Sequence, residues 1–535
     1  MTNAFLLSRR TLLAGAACAP FAARAASAGL RVLVRLGGET FTYTADGAED
    51  LGAFASPAGF TQNCLRAMQT RGPLTVYFRP DQTSDRLEVV FELGRLWSGA
   101  PANLGPYSAE IQSAGKTRAR VEVPRHLWFS RWRWQSDERP VKADIAAVKS
   151  RGLIPPFARR TFARPAPPPK SERYRVMELA GVEPRMGSTG ERPDIGLVTE
   201  QQARFLCTEA RDALAALRAQ AEAAGTLPWH MRDERTGAPV DLDTYKTMSW
   251  YGERNVGDPH IDLADTGISI DSAHQPALAY VPYLLTGDPY HLEDLQFAAT
   301  YNRGVLPPPY RLSIPQPRSF AWSIRTLAQA ANVTPDKTPR WLLPAAYFRS
   351  DLDRTRKWFE ATYVESQKPL HKIFRATDNP DNARDEPPQA PGGTWISPWQ
   401  HEFIVAVLGW VVLMGFDAWQ KPFQWALGGT LARVSGHSGW RRSHPSPYRL
   451  IVKAEKNAPV AGSWDEAWKL SSMRARWPEP NDALAGGDPT YAIYTRGALA
   501  MAARLGVKEA EAPLAWITDQ LRRQDAAVPY KWLLA

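Results

Sequence analysis

The sequence predicts a multidomain α+β protein, a β-sandwich-like domain followed by a mainly helical one. Three observations predict it. The chain is 535 residues long, more than one ordinary core accommodates. Between Leu30 and Ser136 apolar and polar residues alternate in short runs, the period of strands. From Thr199 onward apolar residues recur three and four apart, the period of helices.

The first twenty-eight residues are set apart as a signal. Ser8-Arg9-Arg10-Thr11-Leu12-Leu13 precedes an uncharged, Ala-rich run, and Ala26-Ser27-Ala28 offers small residues for cleavage. This resembles a twin-arginine export signal. It implies the twin-arginine export machinery as a partner, a mature chain beginning near Gly29, and a periplasmic or secreted location. Removing Arg9, Arg10 and Arg24 lowers the formal charge from +10 to +7, a modest excess that favours acidic ligands only weakly. Hydrophobic residues at 44%, charged residues at 22% and twenty Trp exclude global disorder. Cys64 and Cys207 lie in different expected domains, so two buried thiols are expected at least as readily as one disulfide.

Residues 29–150 form the expected β-sandwich-like domain. Its runs are Arg31 to Leu36, Thr40 to Thr44, Leu74 to Phe78, Leu87 to Leu93, Arg118 to Val123 and Leu127 to Trp134. Gly37-Gly38, Asp46-Gly47 and Ala114-Gly115 give turn signals between them. In the last run Trp128, Trp132 and Trp134 share one face, and Phe129, Arg131 and Arg133 the other. The simplest expectation is an apolar inner face and a charged outer one. An arginine pair beside aromatics holding an anionic sugar or nucleic acid is the alternative.

Residues 151–198 read as a Pro/Arg-rich linker or arm, because G-L-I-P-P-F-A-R-R-T-F-A-R-P-A-P-P-P-K allows neither regular helix nor sheet.

Residues 199–535 form the expected helical domain. Thr199 to Gln202 matches a capping box, and Leu206, Ala210, Ala213, Leu214, Leu217 and Ala221 make one stripe ending before Gly225. Further helices are expected over Ser272 to Thr286, Pro289 to Tyr301, Arg318 to Asn332, Ser350 to Gln367, Pro398 to Met414, Asp417 to Leu427, Trp464 to Ser471, Thr490 to Leu505 and Lys508 to Arg523. Gly287, Gly415 and Gly506 each close one apolar helix before another opens, the signature of a helical hairpin. The run Phe403 to Phe416 spans 14 residues, short of the roughly 20 a membrane helix needs, so it reads as a core helix and no membrane span is expected in the mature chain.

The stretch from Trp250 to Gln275 crowds Tyr251, Glu253, Asp258, His260, Asp262, Asp265, Asp271 and His274 ahead of a helix pair. Titratable groups gathered on the loop that enters a rigid scaffold suit a functional site; a solvated acidic loop is the equal alternative.

Long helical hairpins with variable loops resemble the (α/α) toroids of polysaccharide lyases and glycoside hydrolases. Together with an export signal and an N-terminal β-domain, the segments W-Y-G-E-R-N-V-G-D-P-H, D-S-A-H-Q-P-A-L-A-Y-V-P-Y-L and S-F-A-W-S-I-R-T-L-A-Q-A resemble rhamnogalacturonan-lyase-like and related exported bacterial proteins. The resemblance implies a toroid for residues 199–535 and a polysaccharide or oligosaccharide substrate. The Asn-His pair of many toroidal lyases is missing, since Ala273 precedes His274.

A lyase acting on an acidic sugar needs a base, an acid and a group to neutralise the carboxylate. His274 or Tyr251 are the candidate bases, Tyr280 or Tyr251 the acids, and Arg325 or Arg318 the carboxylate partners. Trp322 and Arg325 share one helix face and could stack a sugar and hold its charge, although pairing of Arg325 with a neighbouring Asp is the commoner arrangement. A hydrolase instead needs two carboxylates: Glu253, Asp258, Asp262 or Asp271 on one side and Glu402 on the other. Trp250, Trp395 and Trp399 complete the candidate sugar-binding set. Asp258, His260 and Asp262 alternate oxygen and nitrogen donors and could hold a divalent metal, but match no strong motif. No cofactor is expected otherwise. No Walker loop, dinucleotide fingerprint, G-x-S-x-G elbow or paired C-x-x-C occurs, which removes most support for nucleotide, flavin, esterase and zinc-finger readings.

The sequence therefore points to an exported polysaccharide-degrading enzyme, a lyase on an acidic glycan ahead of a glycoside hydrolase. The rival from another class is a non-catalytic glycan-binding or envelope protein. Nucleic acid is not an expected partner.

Overall fold

The computed structural model describes residues 29–97, 102–158, 162–170, 172–187, 192–250, 265–306, 308, 311–314, 316–375, 393–475, 483–484 and 489–535. The chain divides into two units. The first comprises Met1–Glu92, Gly105–Arg125 and Arg133–Glu138; the second comprises Leu93–Leu104, His126–Trp132 and Arg139–Ala535.

In the β-rich part the described residues form nine strands: β1 Arg31–Leu36, β2 Glu39–Thr44, β3 Glu49–Ala55, β4 Thr61–Met68, β5 Thr75–Pro80, β6 Leu87–Leu93, β7 Tyr107–Ser113, β8 Lys116–Val123 and β9 Ser130–Gln135. They build a four-stranded sheet in the order β2-β1-β7-β8 and a five-stranded sheet in the order β3-β4-β5-β6-β9. In β1, Val32 and Val34 are buried while Arg31 and Arg35 are exposed, so alternation reports the covered face directly.

Strands β3, β4 and β7 were not expected, and each hides its period for a physical reason. β3 carries Gly52 at positive φ beside a register shift between Asp50 and Ala53, a bulge that breaks alternation. β4 buries Gln62 and Asn63, and β7 buries Glu110 and Gln112, polar residues that periodicity assigns to solvent. Glu110 is satisfied by Gln112, Thr117, Arg35 and Arg120, which hold its carboxyl down at about 2. The expected charged outer face on β9 is corrected too. Arg133 is buried and pairs at 2.7 Å with Glu88, which is also buried.

The second unit is mainly helical. Its described helices are α1 Ile145–Ser150, α2 Glu200–Thr208, α3 Arg211–Ala223, α4 Tyr280–Thr286, α5 Pro289–Gly304, α6 Pro317–Val333, α7 Ala345–Phe359, α8 Pro369–Ile373, α9 Pro398–Leu413, α10 Gln420–Val434, α11 Trp464–Ala475, α12 Thr490–Arg504 and α13 Glu511–Arg523. A short antiparallel ladder joins β10 Thr394–Ile396 to β11 Leu450–Lys453. None of the described helices is long and apolar enough to cross a membrane.

Local chemistry sets these boundaries. Thr199 and Gln202 form the capping box at the start of α2. Glu209 then adopts the left-handed conformation, so the expected single stripe becomes two helices. Gly287, Gly415 and Gly506 all lie at positive φ, each closing a helix where an L side chain is disfavoured. The helix expected from Ser272 begins only at Tyr280, because Pro276 lacks an N–H and pushes Gln275 into extended backbone.

Helices α6, α9 and α12 run side by side in the same direction. The Arg318 N–H at the start of α6 donates to Gln400 at the start of α9, and Asn332 at its end donates to the Met414 carbonyl beyond the end of α9. Trp399 meets Tyr491 and Phe403 meets Tyr494, which sets α9 and α12 parallel. The return helices run the other way: Phe320 at the start of α6 stacks on Phe359 at the end of α7, and Glu402 near the start of α9 meets Arg433 near the end of α10. Helix α9 is buried all round except at Leu413, as a helix apolar on every side must be.

Residues 151–198 are packed in part. Ile154 and Phe157 belong to the helical core. Ala158 and Ala166 donate to the carbonyls of Leu533 and Val528. A buried charge cluster sits at the start of α5, where Arg131 bonds Glu293, Asp294 and the Tyr290 carbonyl, Arg232 bonds Glu293, and His230 lies against Asp294. Arg131 is fully buried in this cluster, again correcting the expected outer face; such a network is stable only while every charge keeps its partner.

Candidate functional site

Asp271 and His274 close one turn of 3-10 helix. Asp271 caps it, one carboxylate oxygen accepting from the Ala273 N–H and the other lying 2.5 Å from His274 Nδ1. The carboxylate needs a donor, so Nδ1 carries the hydrogen and Nε2 presents its lone pair. His274 is only 3% exposed, and its Nε2 has no hydrogen-bond partner among the described residues.

Burial pushes the His274 pKa below its ordinary 6.5; Asp271 opposes this, while the charges of Arg318 and Arg192 add to it. Burial would raise Asp271, but the His274 ring, the Ala273 N–H and the Arg318 charge outweigh it and hold the carboxyl below its ordinary 3.8. At neutral pH the pair is thus a carboxylate hydrogen-bonded to a neutral imidazole, the arrangement of an oriented base.

Two buried arginines fix the turn through its backbone. Arg192 donates to the His274 carbonyl at 3.0 Å, and Arg325 donates to the Gln275 carbonyl at 3.0 Å and to the Gly196 carbonyl. Arg325 and Trp322 do share a face, the guanidinium lying 5.1 Å from the indole centroid. Both are buried, and Arg325 has no carboxylate partner among the described residues. Burial takes its pKa down to about 9.

Arg318 begins α6 beside this turn. Ser272 and Ser319 hydroxyls are 2.8 Å apart, tying the turn to the helix. The Arg318 guanidinium lies 5.5 Å from the Trp399 ring. Trp399 in turn stacks on Tyr448 at 5.9 Å with only 10° between the planes, and meets Tyr491 at 5.8 Å. Arg449 lies over Trp395 at 4.6 Å and over Tyr448 at 5.6 Å. The ladder makes this meeting possible, since Trp395 pairs with Ile451 and Ile396 with Leu450.

A second set of contacts anchors the platform. Arg433 bonds Glu402, the Gly429 carbonyl and the Pro445 carbonyl. Trp440, Trp464 and Trp468 pack against Leu450 and Val452 in a small core of their own.

Of the sequence candidates, the structure joins Asp271 to His274 and sets Trp395 and Trp399 on the platform. Tyr251, Glu253 and Asp258 lie outside the described residues, as do His260 and Asp262 of the candidate metal set. Among the described residues no three His, Cys, Asp or Glu side chains converge as metal ligands. Trp250 is buried, its indole N–H donating to the Tyr301 carbonyl at 2.9 Å. Tyr280 is buried and its hydroxyl donates to the Leu153 carbonyl.

Glu402 is fully buried. One carboxylate oxygen takes Arg433 and Thr495 and the other takes Thr430. Desolvation pushes its pKa up, although Arg433 and the threonine hydroxyls counter it. Cys64 and Cys207 are thiols, and burial pushes Cys207 up to about 12.

Tyr448, Arg449 and Tyr491 escaped the sequence reading. The signal for the first two was local: P-Y-R-L-I-V-K runs from a proline into an apolar stretch, the pattern of a strand start.

No protein-family model matches the chain, and neither a curated protein nor a solved structure does.

Proposed function

We propose that the chain is an exported polysaccharide-degrading enzyme, a lyase acting on an acidic glycan, with a β-sandwich-like domain and an (α/α) toroid. Parallel first helices with antiparallel return helices are the repeating unit such a toroid would use. The observation that carries the chemistry is the Asp271–His274 pair: a neutral imidazole oriented by a carboxylate, its Nε2 without a partner among the described residues, beside an arginine and an aromatic platform.

In this reading His274 Nε2 takes the proton next to the uronate carboxylate, Asp271 holds the ring in the required tautomer, and Arg318 offsets the charge that develops on the carboxylate as the proton leaves. The carbon–oxygen bond to the leaving sugar then breaks with formation of a carbon–carbon double bond. The leaving oxygen takes up the proton that His274 removed, so the step ends with the imidazole neutral again. The hydrolase reading loses its assigned partner carboxylate, because both Glu402 oxygens are occupied by internal donors.

The test is incubation with acidic polysaccharides. Elimination releases an unsaturated uronate with its own ultraviolet band, and His274→Ala should abolish it. New reducing ends without that band would replace elimination by hydrolysis, and binding without any turnover would favour a glycan-binding protein.

A further inference from the structure

The helical unit places an aromatic platform and the guanidinium of Arg449 at one end of α6, α9 and α12. Tyr448 is 51% exposed, an unusual state for a large ring already stacked on a buried tryptophan. Burial would remove more apolar surface from water, so an exposed stacked ring suits a face on which something else lies.

Arg449 supplies the second half. It sits over Trp395 and Tyr448, and among the described residues its buried Nε has no hydrogen-bond partner and no carboxylate pairs with it. An arginine held on two aromatic rings keeps its two terminal nitrogens in one plane, a fork that fits an anion in bidentate fashion. The indole N–H groups of Trp395 and Trp399 are also buried, with no hydrogen-bond partner among the described residues, two further donors beside the same rings. The guanidinium and the indole N–H groups are donors with no acceptor atom, which suits an acceptor-rich, negatively charged ligand. The α6, α9 and α12 N-termini add partial positive charge at the same end.

We infer that Tyr448 and Arg449, with Trp395 and Trp399, form a binding subsite for one uronate residue of an acidic oligosaccharide, its ring on Tyr448 and its carboxylate on Arg449. This rests on the acidic-glycan reading and adds to it a residue pair outside the Asp271–His274 turn. A sugar ring offers a face of C–H groups to an aromatic ring, and a uronate adds a planar carboxylate that fits the guanidinium fork. Neutral sugars would use the platform without the fork.

The experiment is a titration of the intact protein, followed by tryptophan fluorescence, with tetragalacturonate and with the same oligosaccharide after its carboxylates are reduced to alcohols. Arg449→Gln should weaken tetragalacturonate binding by about tenfold and leave the reduced oligosaccharide unaffected. Arg449→Lys should restore part of the loss. Tyr448→Ala should weaken both ligands. Thermal unfolding of each variant should match the parent, which separates lost binding from lost folding. Parent-like affinity of Arg449→Gln for tetragalacturonate would overturn the subsite while leaving the acidic-glycan reading intact. Failure of the parent to bind or cleave any acidic oligosaccharide would overturn both.

Discussion

The Asp271 carboxylate lies 2.5 Å from His274 Nδ1 across a single turn, and both groups titrate below their ordinary values. A folded-state value below the unfolded one means that the unfolded chain binds more protons in between, so folding stability rises with pH there. The His274 contribution is complete above its ordinary 6.5 and is lost as pH falls from there through its folded value. The Asp271 contribution persists further, above 3.8, and disappears as pH falls through its lowered value. Activity that requires neutral His274 should fall on the acid side with an apparent value under 6.5. Asp271→Asn removes the group that raises the His274 pKa, so the acid limb should move to lower pH while kcat drops by about 10² to 10⁴. An unshifted limb in a pH–rate profile would break the assignment.

Arg325 offers a sharper division between two roles. If it held the substrate carboxylate, Arg325→Met would raise KM. Because it instead holds the Gln275 and Gly196 carbonyls, the variant should lower kcat with KM little changed. Loss of its buried hydrogen bonds should cost about 1 to 3 kcal/mol, measured by urea unfolding.

Glu402→Gln leaves the buried Arg433 charge without its counter-ion, and removing one partner of such a pair costs about 3 to 5 kcal/mol. Thermal or denaturant unfolding should show a loss of that order. A loss under about 1 kcal/mol, as at exposed pairs, would mean that the pair is solvated.

Close approach of α9 and α12 depends on Gly409. A Cβ there would meet Met501 Cγ at 2.3 Å and Phe423 at 3.1 Å. Gly409→Ala should therefore destabilise by about 1 to 3 kcal/mol through overpacking, outweighing the gain in helix propensity. The companion Met501→Ala should recover part of it, and an additive double variant would show that the helices do not press on one another there.

The helices were legible because they carry their punctuation locally. Thr199 with Gln202, the glycines at 287, 415 and 506, and the prolines at 289 and 398 are read without knowing the fold. Two errors also have local causes: Pro276 forbade the first turns of the expected helix, and the left-handed Glu209 split another. Of the strands that escaped, β3 is broken by its bulge, while β4 and β7 hold polar residues inward, where a partner distant in sequence can satisfy them, as Arg35 does Glu110. The site was half legible for the same reason. His274 and Asp271 each stood out as titratable groups, one as a base and the other as a hydrolase carboxylate, but their pairing across one turn was not read, and Tyr448 meets Trp399 only because a strand pair with no strong sequence period brings them together. Arg325 misled for a related reason, since nothing local shows that its partners are carbonyls.

Asp271, Arg318, Trp399, Tyr448 and Tyr491 come from separate stretches of chain and meet only when the helical unit is folded. Any molecule that bridges the turn, the helix starts and the strand pair therefore binds the native state and has almost nothing to bind in the unfolded one. Its free energy of binding is added to the stability of the whole unit, growing with the logarithm of its concentration over Kd. The protein thus reports its own ligand: across a panel of oligosaccharides, the melting temperature should rise for those that span the platform and stay fixed for the rest.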